Sequence, residues 1–104
     1  MKDIDNIWKE AFPDRLAREL ARIDDEDLMR AFLRDVMTEK EILEISARLR
    51  AAEMLRAGST YTQIESETKL SSRTVARISE WLRQGTGGYS AVLDHAHLTP
   101  APAD

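Results

Sequence analysis

The chain has 104 residues, is 42% apolar and 33% charged, and carries a formal net charge of −4. That length suits one domain with one modest core that a partner subunit would help to stabilise, and the apolar fraction argues against a disordered chain. Cysteine is absent, which excludes disulfides, thiolate metal sites and a cysteine nucleophile; with no run of eighteen apolar residues and no apolar stretch behind a basic start, the expectation is a soluble, cytoplasmic, helical protein with no membrane contact.

Ile4, Ile7, Trp8, Ala11, Phe12, Leu16, Leu20 and Ile23 recur at three- and four-residue steps, so Asp3 to about Ile23 reads as helical. Pro13 interrupts this stripe, either as a kink or in the first turn of a second helix that begins near Phe12. Asp24 reads as the N-cap of a helix to about Met37, with Asp25, Glu26 and Asp27 in its positive first turn. Thr38 and Glu41 have capping-box spacing and predict a third, longest helix that Gly58 stops, with Ile42, Ile45, Leu49, Ala52 and Leu55 on one stripe. Thr60 and Gln63 repeat the capping-box spacing for a short helix to about Thr68, and Ser71 caps another from Ser72 to Leu82 or Arg83. Gly85, Gly87 and Gly88 mark a flexible break, Tyr89 to His95 suit one or two further turns, and the tail frays. The fold class is all-α, with a single domain over residues 1–95 and a disordered tail over 96–104.

Thr60 to Leu82 has the spacing of a helix-turn-helix, assigned to residues 60–83, whose second helix can enter a major groove. Ile64, Leu70, Val75 and Ile78 are the natural inner faces. Ser72, Arg73, Ala76 and Arg77 then lie at or near the exposed side of the second helix. Charge agrees with this placement. Residues 1–47 carry 8 basic and 13 acidic groups, whereas residues 48–83 carry 7 basic and 4 acidic ones. A local basic face can hold phosphates on an acidic protein, because salt limits the reach of distant charges to about 10 Å.

Over roughly Asp24 to Leu93 the chain also resembles the tryptophan-repressor family, and its YerC/YecD-like branch in particular. The marks are Met37-Thr38-Glu39, the stretch ARLRAAEMLRAGSTYTQIE, SSRTVARI, and the GTGGYSAVLD segment from Gly85 to Asp94. The resemblance implies an intertwined homodimer whose paired helix-turn-helix units bind operator DNA, with the apolar N-terminal helices buried against the second subunit. It also implies a corepressor site between two arginines. One of them matches Arg77; without gaps, the other position falls on Ala47, with Arg48 beside it but turned by about 100°. Ile78 stands where the family has a small glycine and Trp81 where it has a serine, so protein is expected to fill the pocket and tryptophan not to act as corepressor.

The candidate DNA contacts are Tyr61, Thr62, Lys69, Ser71, Ser72, Arg73, Thr74, Ala76 and Arg77. Arg73 suits bidentate pairing with guanine or a phosphate grip. Arg77 continues that contact or pairs internally with Glu80 or another carboxylate. Ser71 caps its helix, Ser72 and Thr74 offer hydroxyls in the first turn, and Thr74 is equally a packing residue. Tyr61 and Thr62 are phosphate contacts, unless Tyr61 packs on the central helix. Glu65 and Glu67 repel phosphates or point away from the duplex. Arg48, Arg50 and Arg56 read as a solvated helix face, and of the three Arg56, which ends the central helix, is best placed to approach DNA. Trp8, Phe12, Phe32 and Trp81 read as packing, in one core or across a dimer. His95 and His97, with no cysteine and no HExxH spacing, give no metal site. No nucleophile–base pair, phosphate loop or dinucleotide fingerprint is present, so neither an enzyme nor a cofactor is expected. The reading is a sequence-specific DNA-binding transcriptional regulator, a repressor acting as a homodimer on double-stranded DNA, with no small-molecule effector assigned. The alternative is a helical dimerisation or docking module without DNA binding.

Overall fold

The computed structural model describes residues 6–98, with side chains described as far as Asp94. Every regular element among the described residues is helical. The chain packs as two compact units, divided between Glu44 and Ile45.

In the first unit a single 3₁₀ turn, Asn6–Lys9, precedes α1, Ala11–Ala21. Pro13 lies in the first turn of α1, where a missing N–H costs no helical hydrogen bond, so the proline opens a helix and does not kink one. Residues 3–5 of the expected N-terminal stripe lie outside the described residues. Helix α2, Glu26–Val36, is capped by Asp25 and not by Asp24: the Asp25 carboxylate accepts the Leu28 N–H at 3.1 Å. Neighbouring aspartates leave the cap position ambiguous by one residue until the backbone chooses it. Exposed pairs such as Arg15–Glu19 at 2.8 Å and Arg18–Asp14 at 3.1 Å support α1. Pairs this exposed add little, because solvent and salt screen them. No residue from 6 to 44 is buried. Phe12 is 90% exposed and Trp8 47%, so neither is packed into a core of this chain.

Helix α3, Glu39–Arg56, begins in the first unit and ends in the second. Its capping box forms as the spacing predicts: Thr38 N–H donates to Glu41 Oε1 at 2.8 Å and Glu41 N–H to Thr38 Oγ1 at 3.1 Å. At its other end Gly58 takes φ +87°, with Gly58 N–H on Leu55 O and Ser59 N–H on Met54 O, the paired bonds of a Schellman stop. Helices α4, Tyr61–Thr68, α5, Ser72–Gln84, and α6, Gly88–Leu98, follow. Helix α6 is eleven residues, longer than the one or two turns expected, and it absorbs residues 96–98 of the expected tail; the rest of that tail lies outside the described residues.

The core of the second unit gathers Ala51, Ala52 and Met54 of α3, Ile64 of α4, Val75 and Ile78 of α5, and Leu93 of α6. Leu55, Leu70, Leu82 and Tyr89 pack around it. Full burial of Ile64 and Val75 contributes about 1.5–3 kcal/mol each. The expected α3 stripe holds in its second half, where Ala52 is buried and Leu55 packs on the core, and is corrected in its first, where Ile45 and Leu49 are exposed; Ala51 and Met54 complete the buried face. An apolar stripe reports which faces shun water, not which of them a partner covers.

Gly85 ends α5 at an ordinary φ of −82°, so its requirement is space and not conformation. A Cβ there would lie within 2.5 Å of the Trp81 carbonyl oxygen and against the Trp81 ring. Gly85→Ala should therefore destabilise the fold by about 1–3 kcal/mol, as overpacking does. Thermal unfolding of the variant beside the parent chain checks this, and an unchanged melting temperature would refute it.

Candidate nucleic-acid interface

The α4–turn–α5 pair is assembled by local hydrogen bonds around the buried Ile64 and Val75. Thr60 accepts the Gln63 N–H at 3.2 Å while the Thr60 N–H donates to Gln63 Oε1 at 2.8 Å, a closed capping box. In the turn, Thr68 Oγ1 donates to Ile64 O at 2.7 Å and accepts the Leu70 N–H at 3.3 Å. Between them Lys69 is held at φ 63°, ψ 14°, in the left-handed region. Ser71 Oγ accepts the Thr74 N–H and donates to Thr74 Oγ1, both at 3.1 Å. Ser71 is thus a helix cap, and Thr74, half-buried, is tied to it.

With Val75 and Ile78 turned inward, Ser72, Arg73, Ala76 and Arg77 are all exposed on the opposite side of α5. Tyr61, Thr62, Lys69 and Ser71 are exposed as well. Every residue named in the sequence as a contact is therefore accessible at least in part. Tyr61 keeps 42% of its surface in water, so it is not buried on α3.

Charges the sequence left ambiguous are sorted by contacts distant along the chain. Arg50 of α3 bonds the Glu67 carboxylate through Nε and Glu53 through Nη1 at 2.7 Å. Arg50 holds the Glu67 carboxyl below its ordinary value and is itself raised by those two acceptors. Glu67 therefore presents a compensated charge, not a bare one. Arg56, read as part of a solvated face and the best placed of its three arginines to approach DNA, bonds Asp94 of α6 at 2.5 Å and Ser90 O at 3.4 Å. Lys69, Arg73 and Arg77 make no ion pair among the described residues, so Arg77 is not paired with Glu80. No sequence pattern announces the Arg50 and Arg56 pairs, because their carboxylates lie on other helices.

A cleft of about 400 Å³ opens beside this face, lined by Arg48, Thr74, Arg77, Ile78, Trp81 and Tyr89. Arg48 and Arg77 both line this cleft, whereas Ala47, on which the ungapped family position falls, does not. One expectation is corrected here: Ile78 and Trp81 do not fill the space, since Ile78 is turned into the core and Trp81 stays 46% exposed at the rim. His95 and His97 fall on α6, but their side chains lie outside the described part. Among the described residues no group of acidic, histidine or cysteine side chains is arranged to hold a metal ion.

The family described as Trp repressor protein matches residues 13–97. YerC of Bacillus subtilis (strain 168) is 35% identical over 86 residues, covering 83% of each chain. A TrpR-like protein from Eubacterium eligens superposes with a TM-score of 0.82 at 32% identity, covering 91% of this chain and 98% of that one. A candidate Trp repressor from Staphylococcus aureus gives 0.83 at 28% identity, covering 94% and 98%.

The Arg50–Glu67 pair predicts a pH dependence. A carboxyl whose folded pKa is lowered contributes stability above its unfolded value, near 4.5, and loses it as pH falls through the folded value. Glu67→Gln should thus lower stability at neutral pH and flatten the decline below about pH 4.5. Chemical denaturation of both chains across pH 3 to 7 tests this; parallel curves would sink it.

Proposed function

The chain belongs to the Trp repressor family, and from that premise we propose that it is a sequence-specific DNA-binding transcriptional regulator acting as a homodimer. The observation that carries the reading is the division of α5. Val75 and Ile78 are buried, whereas Ser72, Arg73, Ala76 and Arg77 present a polar, basic face with no ion-pair partner among the described residues. As the second helix of a helix-turn-helix, α5 would lie in the major groove, with Arg73 reading a guanine edge. Lys69, Arg77, Tyr61, Thr62, Ser71, Ser72 and Thr74 would then supply backbone and flanking contacts, with Ala76 against a base edge. Such contacts position the protein without reading sequence. Binding over a promoter represses by occlusion, in the cytoplasm where bacterial DNA lies; no helix among the described residues is long and apolar enough to cross a membrane. The docking-module alternative drew on Glu65 and Glu67 as repulsive charges, and the Arg50 pair removes half of that support.

The exposed apolar side chains of residues 6–44 support the dimer: Ile7, Trp8, Phe12, Leu16 and Leu28 are each about half exposed or more. A second copy covers such faces. Independence from tryptophan rests on chemistry and not on space: a cleft stays open beside Arg48 and Arg77, but its lining has Ile78 and Trp81 where the family resemblance implies a glycine and a serine.

Two experiments test this reading. Sites selected from random duplex DNA should be two-fold symmetric, and Arg73→Ala should lose about 1–3 kcal/mol on the selected site and much less on random duplex. Millimolar L-tryptophan should leave both affinities unchanged. If Arg73→Ala alters neither affinity while the helices stay folded, the reading face lies elsewhere. In sedimentation the chain should run as a dimer at micromolar concentration, with a melting temperature that rises with concentration. A folded monomer under those conditions counts against the dimer.

A further inference from the structure

Lys69 is the one residue other than glycine with a positive φ among the described residues. It sits at the C-cap of α4, where its N–H bonds Glu65 O at 2.9 Å, a position that glycine or asparagine fills with least strain. The left-handed region brings the Cβ of any other residue close to the neighbouring carbonyl oxygen, so lysine is a costly choice here. The turn nonetheless leaves it no other conformation. The Thr68 hydroxyl ties Ile64 O on one side and the Leu70 N–H on the other, and Leu70 is drawn toward the core. Strain of this kind persists only where the surroundings over-determine it, and it marks sites where the side chain has a task.

The fold supplies no task for this side chain. It is exposed, it makes no ion pair or side-chain hydrogen bond among the described residues, and it covers none of the core cluster. Its position does: it lies in the turn between two helices, three residues before exposed Ser72 and four before Arg73. Lysine is a compact, mobile point charge suited to a phosphate, and not to reading a base edge.

Resting on the DNA-binding reading above, we propose that Lys69 is a phosphate anchor kept in a strained backbone conformation, so that lysine at this turn serves DNA affinity at the expense of fold stability. The consequence is a substitution whose two effects have opposite signs. Glycine relieves the strain, less the entropy it adds to the unfolded chain, and removes the charge. Full-length Lys69→Gly should melt a few degrees higher, about 2–6 °C. It should bind both selected and random duplex about fivefold more weakly near 0.15 M salt, with the slope of log affinity against log salt flatter by about 0.9.

The test measures melting and duplex binding at three salt concentrations for the parent, Lys69→Gly, Lys69→Asn and Lys69→Arg. Lys69→Asn, which also tolerates this backbone, should lose the same affinity and salt slope as glycine. Lys69→Arg should keep both near the parent values. A lower melting temperature for Lys69→Gly would mean that lysine supports the fold, and would overturn the proposal. Unchanged affinity and salt slope in a parent chain that binds DNA would overturn it alone. Failure of the parent chain to bind any duplex would overturn it together with the DNA-binding reading.

Discussion

The second unit depends on one buried cluster that joins Ala51 and Ala52 of α3 to Ile64 of α4 and Val75 of α5. All four side chains are fully excluded from water. The two small alanines leave α3 room for branched side chains in the same cluster. Interiors packed this densely tolerate little change in volume, so the cluster holds Val75 and Ile78 on the inner side of α5. The exposed face of α5 is a consequence: once Val75 and Ile78 are committed inward, 3.6-residue periodicity leaves Arg73, Ala76 and Arg77 no other direction. Capping by Thr60 and Ser71 sets where the two helices begin, and the shared cluster sets which of their faces turn inward.

What the sequence disclosed was local. The capping boxes at Thr38 and Thr60, the Ser71 cap, the Gly58 stop and the inward side of α5 each depend on residues within one or two helical turns, and all are found as read. What escaped was of two kinds. A phase error of one residue put the α2 cap on Asp24 in place of Asp25. Non-local pairing hid the rest, since Arg50–Glu67 spans 17 residues and Arg56–Asp94 spans 38. The first half of the stripe on α3 failed for a related reason, while Ala52 and Leu55 of its second half meet the core. Ile45 and Leu49 are as apolar as the residues that are buried, and only the arrival of α4, α5 and α6 decides which face is covered. The left-handed turn at Lys69 had no signal of the usual kind, because glycine, its usual mark, is absent.

The same long-range pairs explain how an acidic chain keeps a basic face. Exposed ion pairs contribute little stability on their own, at most about 1 kcal/mol each. Their weight here is in direction: Arg50 occupies Glu67 at the end of α4, and Arg56 is drawn to α6, away from the turn. The cations left without carboxylates among the described residues include those of the turn and of the exposed side of α5. Salt limits the remaining acidic groups to a short reach, so the local potential and not the net charge of −4 governs an approaching phosphate.

The first unit poses the complementary problem. Asp25 caps α2 and exposed ion pairs lace both helices, yet none of its residues from 6 to 44 is buried. Ion pairs worth a few tenths of a kcal/mol cannot replace apolar burial worth about 1.5–3 kcal/mol for each large side chain. The apolar faces of α1 and α2 therefore require cover from outside the unit to be stable. If a second copy supplies that cover, a single interface determines two properties at once. It stabilises the helices, and it sets the separation of two α5 faces, which must match one turn of DNA, roughly 34–36 Å, for both to enter successive major grooves. Substitutions such as those at Phe12 or Leu16, remote in sequence from every DNA contact, would then act on operator affinity through the spacing of the pair, and the chemistry of the reading face would be unchanged.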